Sequence, residues 1–587
     1  MRIKLFLTPF LVPFFVLGIF TGCSAKKDSA VEPQILKLAF GDDAKSADPA
    51  QANDVISVEF NAHIFEGLLG FSYLGELGEV EATLAESVPV LDSKTTLIKF
   101  RIKKGIKFQD DAAFPDSKGR EVVASDFVYS FKRVGDCREP SANAWMFEGN
   151  IKGYSEWKRA CEAAPTDQRK VFFEKEIPGL RATDSHHLEI ELVAPNPNIL
   201  SILAMTHSSV MAREVVEKYG PEIMSHPVGT GPFKLKEWVK GLKIVVEKNP
   251  TFRGDTYPTT GNNLDRQNGL LLSAGQKLPM VDGIEWQIIK EDQPRWLKFM
   301  AGQLDETGIP KDNYTEAVDG TGELSPKLKE MGFKLSKALS MTSWWIEFNM
   351  KDPVVGKNKK LRQALALAFD RERALTLLYN NRGILADGPF TPTLEGGSKL
   401  KSFPYAYNLE KAKKTLIEAG YPEGSKLPTL TFDLRGPGTT PRQLGELIQD
   451  NFSKLGFKTE ILANSFPEAL EKAKTSRFQI MLGGWAGDYP DPENYLAQFF
   501  IGNLAPGPNS SNFQNPEFDN LYREIRVMSR GPEREKKIVR MVEIIAEEVP
   551  AVFFFHSMDF RLSSARLKNF KPHPILYGAS RYLGLAK

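Results

Sequence analysis

Short runs of alternating apolar and polar residues recur through the first half of the chain and predict half-buried β-strands. The alternation is clearest at residues 35–40, 97–102 and 188–192. A further strand is predicted over residues 284–289, and residues 233–248 predict a hairpin that turns at Lys240 and Gly241.

The second half of the chain starts a new α/β pattern with a strand over residues 344–348. One strongly apolar helix is predicted over 361–379, and another between its N-cap Asn408 and its terminator Gly420. Strands and helices then alternate at residues 430–434, 441–455, 457–462, 467–474 and 478–482. This spacing predicts parallel strands, and ligands of such sheets bind at the carboxyl ends of the strands.

The last of these strands leads into GGWAGDYPDP at residues 483–492. We expect the strand to stop at Gly483 and Gly484, because these residues and Gly487 allow positive φ and close approach of another backbone. Asp488 is then placed to accept hydrogen bonds from a cation. The loop predicts ligand recognition more than bond-breaking chemistry.

The N-terminus has the features of an export signal. Arg2 and Lys4 precede an apolar stretch that is too short and too interrupted by prolines to span a bilayer stably. Small residues before Cys23 resemble the lipobox of bacterial lipoproteins, in which this cysteine would carry the lipid. A plain secretory signal with a chance cysteine is the alternative. We therefore expect a signal over residues 1–22 and a polar tether over 23–33.

The charge balance excludes a nucleic-acid footprint. The chain of 587 residues has 76 basic and 74 acidic residues, and removal of residues 1–22 leaves 74 of each. Beyond Cys23, the cysteines are Cys137 and Cys161. In an exported chain they are candidates for a disulfide, although two reduced buried thiols remain the alternative.

No catalytic or metal-binding motif is found in the sequence. The seven histidines form no HExxH pair, and neither GxSxG nor GxxxxGK[ST] occurs. Gly229 to Gly231 are followed by a predicted strand and not a helix, so they indicate a structural turn more than a phosphate loop. We expect neither an enzyme nor a cofactor or metal site.

Seven motifs, in order, resemble those of the bacterial extracellular solute-binding proteins of family 5, the peptide-binding proteins of ABC transporters. They lie at residues 48–49, 64–68, 100–108, 125–133, 227–233, 361–371 and 484–492. The resemblance covers essentially the whole mature chain.

The resemblance implies a two-lobed α/β fold of the type II periplasmic-binding-protein kind, similar to its cluster C. The first lobe would comprise residues 34–340 and 556–587, with an extra domain at about 66–206, and the second lobe residues 341–555. The lobes would close on a ligand about a hinge, where the chain crosses near Ser340 to Ser343 and near Phe555 to Ser557.

The same resemblance implies site residues. Asp488 matches the position that holds a peptide's α-ammonium group, and Trp485 matches as well. The backbones of Gly484 and Ala486 would pair with the peptide as an added strand. Phe466 would line a side-chain pocket, and Asn53 would lie on the opposite wall.

One position departs from the pattern. Some oligopeptide binders carry an arginine for the ligand carboxylate where this chain has Leu482. Arg435 and Arg442 are the candidates to replace it. Ligand length stays open, and so does the solute class, since relatives take nickel complexes, haem, sugars and murein fragments.

The sequence therefore predicts a monomeric cell-envelope lipoprotein that captures peptides and passes them to an ABC permease. A different solute is the main alternative. An envelope hydrolase with a hidden acid pair, and a chaperone or adhesin on the same scaffold, are the rivals from other classes.

Overall fold

The computed structural model describes residues 32–92, 94–436 and 438–586. The expected signal segment, Cys23 and most of the tether lie outside these residues. From Gln34 onward the chain forms one compact unit. Among the described residues, no helix is both long and apolar enough to cross a membrane.

The strands and helices follow the predicted α/β pattern in both halves. The strands of the described residues are β1 Ile35–Phe40, β2 Leu69–Phe71, β3 Val80–Ala82, β4 Leu97–Arg101, β5 Leu180–Ala182, β6 His187–Glu191, β7 Phe233–Val239, β8 Lys243–Lys248, β9 Gly283–Ile288, β10 Glu306–Gly308, β11 Lys334–Phe348, β12 Gly383–Leu385, β13 Leu430–Asp433, β14 Thr459–Leu462, β15 Ile480–Ala486, β16 Ala551–Ser563, β17 Leu567–Lys568 and β18 Gly584–Leu585. The α-helices are α1 Val55–Asn61, α2 Ala124–Val134, α3 Tyr154–Ala163, α4 Arg169–Glu174, α5 Ile199–Leu203, α6 Arg213–Tyr219, α7 Asn263–Gln267, α8 Asp292–Met300, α9 Tyr314–Ala317, α10 Pro326–Glu330, α11 Lys359–Ala368, α12 Arg371–Tyr379, α13 Leu409–Glu418, α14 Thr439–Ser453, α15 Phe466–Lys474, α16 Pro492–Leu496, α17 Pro516–Ile525 and α18 Pro532–Glu548.

The first lobe is built on two small sheets that share one core. One sheet has the order β1-β9-β8-β7 and contains the predicted hairpin, and the other has the order β4-β6-β5 within the extra domain. Leu36 of β1 and Phe100 of β4 belong to the same cluster of buried apolar residues. The extra domain is therefore continuous with the rest of the lobe through its core.

The second lobe is organised by a larger sheet with the order β10-β16-β11-β15-β13-β14, on which β12 pairs with β16. As predicted, β13 pairs in parallel with β14 and also with β15. The cluster of buried residues around this sheet includes Trp345, Phe432 and Phe553.

The long strands β11 and β16 connect the two lobes. Their pairing is irregular between Leu339 and Ser343, close to the expected crossing. On one side of this point, Leu562 packs in a small cluster with Trp296; on the other, Phe555 packs in the second-lobe core. At the crossing itself, Ser343 Oγ and His556 Nδ1 are 2.7 Å apart, so a buried hydrogen bond joins the two strands.

Two predicted elements were wrong. The helix expected over 361–379 is divided into α11 and α12, because Asp370 caps the second helix by accepting a hydrogen bond from the N–H of Arg373 at 3.0 Å. The strand expected to stop at Gly483 continues to Ala486, because β15 keeps pairing with β11 as far as Thr342.

The structure joins Cys137 and Cys161 by a disulfide, with Cα atoms 5.8 Å apart. Cys161 lies in α3 of the extra domain, and Cys137 follows α2. The bond therefore fixes two neighbouring helical segments that are 24 residues apart in sequence.

Candidate functional site

A cavity of about 910 Å³ lies between the two lobes. Its second-lobe wall consists of Ala486, Gly487 and Asp488, which follow directly from the end of β15. First-lobe residues, including Asn53 and Tyr257, line the remainder. A volume of this size suits a small ligand such as a short peptide.

Asp488 is held in place by the short helix that follows it. Asn494 of α16 donates from Nδ2 to Asp488 Oδ2 at 3.0 Å, and its Oδ1 accepts the backbone N–H of Asp488 at 3.0 Å. The same Oδ1 accepts the indole N–H of Trp485 at 2.7 Å. One amide side chain therefore fixes both the carboxylate and the tryptophan before it.

Asp488 has no ion-pair partner within the described part of the chain. Among the described residues, none of the ion pairs includes this carboxylate, and burial raises its pKa despite the hydrogen bond from Asn494. The Asp488 charge in turn raises the pKa of Tyr577, after the effects of burial and of Glu59. A ligand ammonium group would supply the missing positive charge.

The second aspartate of the loop has a structural role. Asp491 caps α16 by accepting the N–H of Glu493 at 2.9 Å, and its Oδ1 is 2.7 Å from Nη2 of Arg534. Both side chains of this ion pair are fully buried. The pair anchors the base of the loop and leaves Asp488 as the aspartate that faces the cavity.

The glycines of the loop serve close packing. A Cβ on Gly484 would lie 2.6 Å from Cε3 of Trp344, and one on Gly487 would lie 2.5 Å from the hydroxyl of Tyr495. None of Gly483, Gly484 and Gly487 has positive φ. The expected positive φ is therefore not found at these glycines. Their close neighbours include the side chains of Trp344 and Tyr495, and close approach of a ligand backbone stays a prediction.

Beyond Met481, one edge of β15 has no partner strand among the described residues. The N–H of Gly487 points toward β11, where it donates to Met341 O at 3.0 Å. Because backbone groups alternate along a strand, those of Gly484 and Ala486 point to the opposite, open edge. This edge can accept an added strand.

Arg435 lies where β13 ends, beside that open edge. Its guanidinium is 5.9 Å from the ring centroid of Trp344 and 5.4 Å from that of Phe466. Burial lowers the pKa of Arg435, an effect opposed by Glu347. Within the described part of the chain, no carboxylate forms an ion pair with it. Neither Arg435 nor Phe466 lines the cavity, and the Phe466 side chain is 48% exposed.

The other candidates occupy different environments. Asn53 lines the cavity on the first-lobe wall, as expected. Arg442 lies on α14, is largely exposed and is 3.9 Å from Glu446 on the same helix. Gly484 and Trp485 are not part of the cavity wall, although both belong to the strand that leads to it.

Residues that the sequence did not single out complete the site. Asn494 orients Asp488, Tyr577 lines the cavity, and Tyr489 belongs to the core of the first lobe although its neighbours belong to the second. Tyr489 follows Asp488 directly, so its position in the motif was the available signal. Tyr577 is about ninety residues further along, and sequence spacing gave no indication of it.

The described residues offer no catalytic pair at the cavity. The hydrogen-bonded pair Ser343 and His556 is buried and does not line it. Burial lowers the pKa of His556 to about 4. Two lobes enclose a cavity whose second-lobe wall carries Asp488, a carboxylate without an ion pair among the described residues, next to an open strand edge; this arrangement is suited to binding a solute.

Comparison with known proteins identifies the family. The model for the bacterial extracellular solute-binding proteins of family 5 (middle region) matches residues 79–505. The chain belongs to this family, whose members are extracytoplasmic solute-binding proteins and not enzymes.

Similar proteins bind different solutes according to their names. The chain is 26% identical to heme-binding protein A of Haemophilus influenzae, over 85% of this chain and 83% of that protein. It is 24% identical to the dipeptide-binding protein of Escherichia coli, over 85% of this chain and 84% of that protein. The Helicobacter pylori periplasmic binding protein DppA, solved with the peptide STSA, superposes with a TM-score of 0.72. The superposition covers 94% of this chain and 99% of that chain, at 22% sequence identity. This last likeness establishes the two-lobed periplasmic-binding-protein fold.

Proposed function

We propose that this protein captures short peptides in the cavity between its lobes and delivers them to an ABC permease. The observation that carries the proposal is the carboxylate of Asp488 on the cavity wall, which has no ion pair among the described residues and lies two residues beyond the open strand edge. A peptide has an ammonium group that could contact Asp488, followed by a row of backbone hydrogen-bonding groups that could pair with the open edge.

Asp488 would receive the α-ammonium group of the peptide. A charge-assisted hydrogen bond of this kind contributes about 1.5 to 3 kcal/mol. Asn494 keeps the carboxylate oriented before the ligand arrives, which lowers the entropy lost on binding.

The backbone of the peptide would pair with Gly484 and Ala486 as an added strand. This mode recognises main chain and leaves the ligand side chains free to vary. It favours a peptide over a saccharide, a metal chelate or haem, because none of those solutes offers a regular row of amide groups.

We assign the ligand carboxylate to Arg435 in preference to Arg442. Arg435 stands at the open edge and is held between two aromatic rings, whereas Arg442 is exposed and has Glu446 nearby. Gly484 and Asp488 are four residues apart, at most about 13 Å in extended backbone. A ligand that extends from Asp488 along this edge would be a peptide of two or three residues.

The ammonium assignment is tested by calorimetry with alanine dipeptide and tripeptide and their N-acetylated forms. Wild-type protein should bind the free peptides at least about tenfold more tightly than the acetylated ones. Asp488→Asn, which can keep the contact with Asn494, should lose that preference. Failure to bind any peptide, or an equal preference in the variant, would refute the proposal. Binding of haem, followed by its absorption spectrum, would favour the alternative solute.

The carboxylate assignment uses peptides with an amidated C-terminus. Arg435→Gln should abolish the preference for the free acid, and the matched variant Arg442→Gln should retain it. The opposite result would transfer the role to Arg442.

We also propose that Cys23 carries a lipid that holds the protein at the membrane in the cell envelope, as a monomer. The support is the lipobox-like sequence before this cysteine. Detergent phase partitioning of the full chain and of Cys23→Ala tests it: the wild type should enter the detergent phase and the variant the aqueous phase. Aqueous partitioning of both would support a plain secretory signal.

A further inference from the structure

The first-lobe end of the cavity carries a second carboxylate without an ion-pair partner. Glu81 of β3 lines the cavity and lies opposite Gly70 of β2. Its only side-chain hydrogen bond among the described residues comes from the hydroxyl of Ser72, at 3.4 Å.

The cations around Glu81 are already engaged. Arg253 binds Glu66 through two hydrogen bonds, of 2.6 and 3.0 Å, and also contacts Asp255. Arg581 is 3.2 Å from Glu66 and donates to Ala62 O at 2.7 Å.

The remaining cation of this wall, Lys103, donates to the carbonyl oxygen of Thr83 at 2.7 Å. The carboxylate of Glu81 thus faces the cavity without an ion pair among the described residues, and Arg581 offsets its charge only in part. Burial raises the pKa of Glu81, with partial opposition from Arg581.

A buried hydroxyl at the same end of the cavity is also without a partner. Tyr257 lines the cavity and is fully buried, and its hydroxyl makes no hydrogen bond within the described part of the chain. Its ring centroid is 6.0 Å from that of Tyr582. Burial, and next the charge of Glu81, raise the pKa of Tyr582, and all three side chains line the cavity.

A buried polar group without a partner is costly, and a polar ligand commonly supplies the missing hydrogen bond. Here the carboxylate of Glu81 lines the cavity, and Tyr257, another lining residue, has a buried hydroxyl without a partner among the described residues. A primary ammonium group has three donors and a positive charge, so it can satisfy Glu81 and an adjacent oxygen at once.

Resting on the peptide-binding function above, we infer that Glu81 selects peptides with a basic side chain. The ammonium of the peptide backbone binds at the second-lobe wall, and the ammonium of a lysine side chain binds Glu81 at the first-lobe wall. The tyrosine hydroxyl of Tyr257 provides a second contact for that side chain.

Matched peptides that differ only in this ammonium test the inference. Calorimetry compares Lys-Ala with norleucyl-alanine, and Ala-Lys with alanyl-norleucine, because norleucine keeps the aliphatic stem without the charge. Wild-type protein should bind one lysine peptide at least about tenfold more tightly than its norleucine partner. Glu81→Gln should abolish that ratio.

Three further variants serve as controls. Glu79→Gln removes the same charge from an exposed position on the same hairpin and should leave the ratio unchanged. Glu81→Asp keeps the charge and should retain part of the preference for lysine over norleucine. This result would show that Glu81→Gln loses the preference because the charge is absent and not because the protein is misfolded. Tyr257→Phe should lower the ratio by a smaller factor.

The outcomes separate this inference from the proposed function. If peptides bind and wild type shows no lysine preference, or Glu81→Gln keeps it, the role of Glu81 is overturned while peptide binding stands. If no peptide binds, both are overturned.

Discussion

Tyr489 of the second lobe packs beside Trp145 of the first lobe, with ring centroids 6.5 Å apart. Tyr489 is 5% exposed and belongs to the buried core of the first lobe. Its hydroxyl donates to Glu493 Oε2 at 2.5 Å, which ties it back to α16. The residue next to the candidate ligand anchor is therefore also a contact between the lobes.

Removal of this ring should favour the open form. We expect Tyr489→Ala to weaken peptide binding by roughly tenfold, because closure then lacks about 1 to 2 kcal/mol of aromatic burial. Small-angle scattering should show a larger radius of gyration for the ligand-free variant. Tyr489→Phe keeps the ring and should bind almost as wild type; equal affinities for all three proteins would contradict a role in closure.

Peptide affinity should fall as the pH is lowered. The ionised form of Asp488 would bind the ammonium group under the proposed function, and burial raises the pKa of this carboxyl above its ordinary 3.8. Protonation therefore begins at a higher pH than for an exposed aspartate, and the affinity declines as the pH approaches the raised value. Binding should also release protons, because the ligand charge returns the pKa toward its ordinary range.

Calorimetry between pH 8 and pH 5, in buffers of different ionisation enthalpy, measures both effects. Burial raises the pKa of Glu59 to about 7, and Glu59 lies near Tyr577 on the cavity wall. The measurement is therefore repeated with Glu59→Gln, which removes the contribution of Glu59 to the pH dependence of the affinity. In Asp488→Asn, the part of the pH dependence of peptide affinity that comes from this carboxylate should be absent. An affinity that rises with acidity in the Glu59→Gln protein would contradict the role of Asp488.

The ion pair between Asp48 and Arg133 should dominate the stability of the first lobe. Two hydrogen bonds of 2.9 and 2.7 Å join the side chains, which are 1% and 4% exposed. Asp48→Asn leaves the buried guanidinium with only the more distant and exposed carboxylate of Glu139, 3.5 Å away, and should lower the free energy of unfolding by about 3 to 5 kcal/mol. Urea denaturation followed by circular dichroism measures this.

An exposed pair provides the control for that measurement. Glu533 and Lys536 are each 73% exposed, so Glu533→Gln should change the free energy of unfolding by less than about 1 kcal/mol. A similar loss in both variants would show that burial is not the cause.

The disulfide should stabilise the extra domain. It closes a loop of 24 residues, for which the chain-entropy relation gives about 3 kcal/mol. We expect Cys137→Ser/Cys161→Ser to lose about that amount in urea titration, and reductant to destabilise the wild type but not the double variant. A wild type insensitive to reductant would contradict the bond's contribution.

Local patterns in the sequence predicted much of the fold. The hairpin of β7 and β8, the capped helix α13 and the parallel pairing of β13 with β14 each depend on neighbouring residues, and all three are confirmed. The path of β15 through its glycines was missed, since it depends on pairing with β11, some 140 residues earlier in the chain.

The site was predicted less completely for the same reason. Asp488 and Asn53 were placed on the cavity by position within motifs. The choice between Arg435 and Arg442 required knowledge of which aromatic rings and carboxylates surround each. Tyr257 and Glu81 carry no motif, and only the packing of the first lobe brings them to one wall.

The adjacency of Asp488 and Tyr489 has a kinetic consequence. Because the candidate ligand anchor and a contact between the lobes are consecutive residues on a loop fixed by the Asp491–Arg534 pair, we expect opening of the lobes at Tyr489 to move Asp488 as well. Changes at Tyr489 should then shorten the residence time of a bound peptide far more than they alter its association rate.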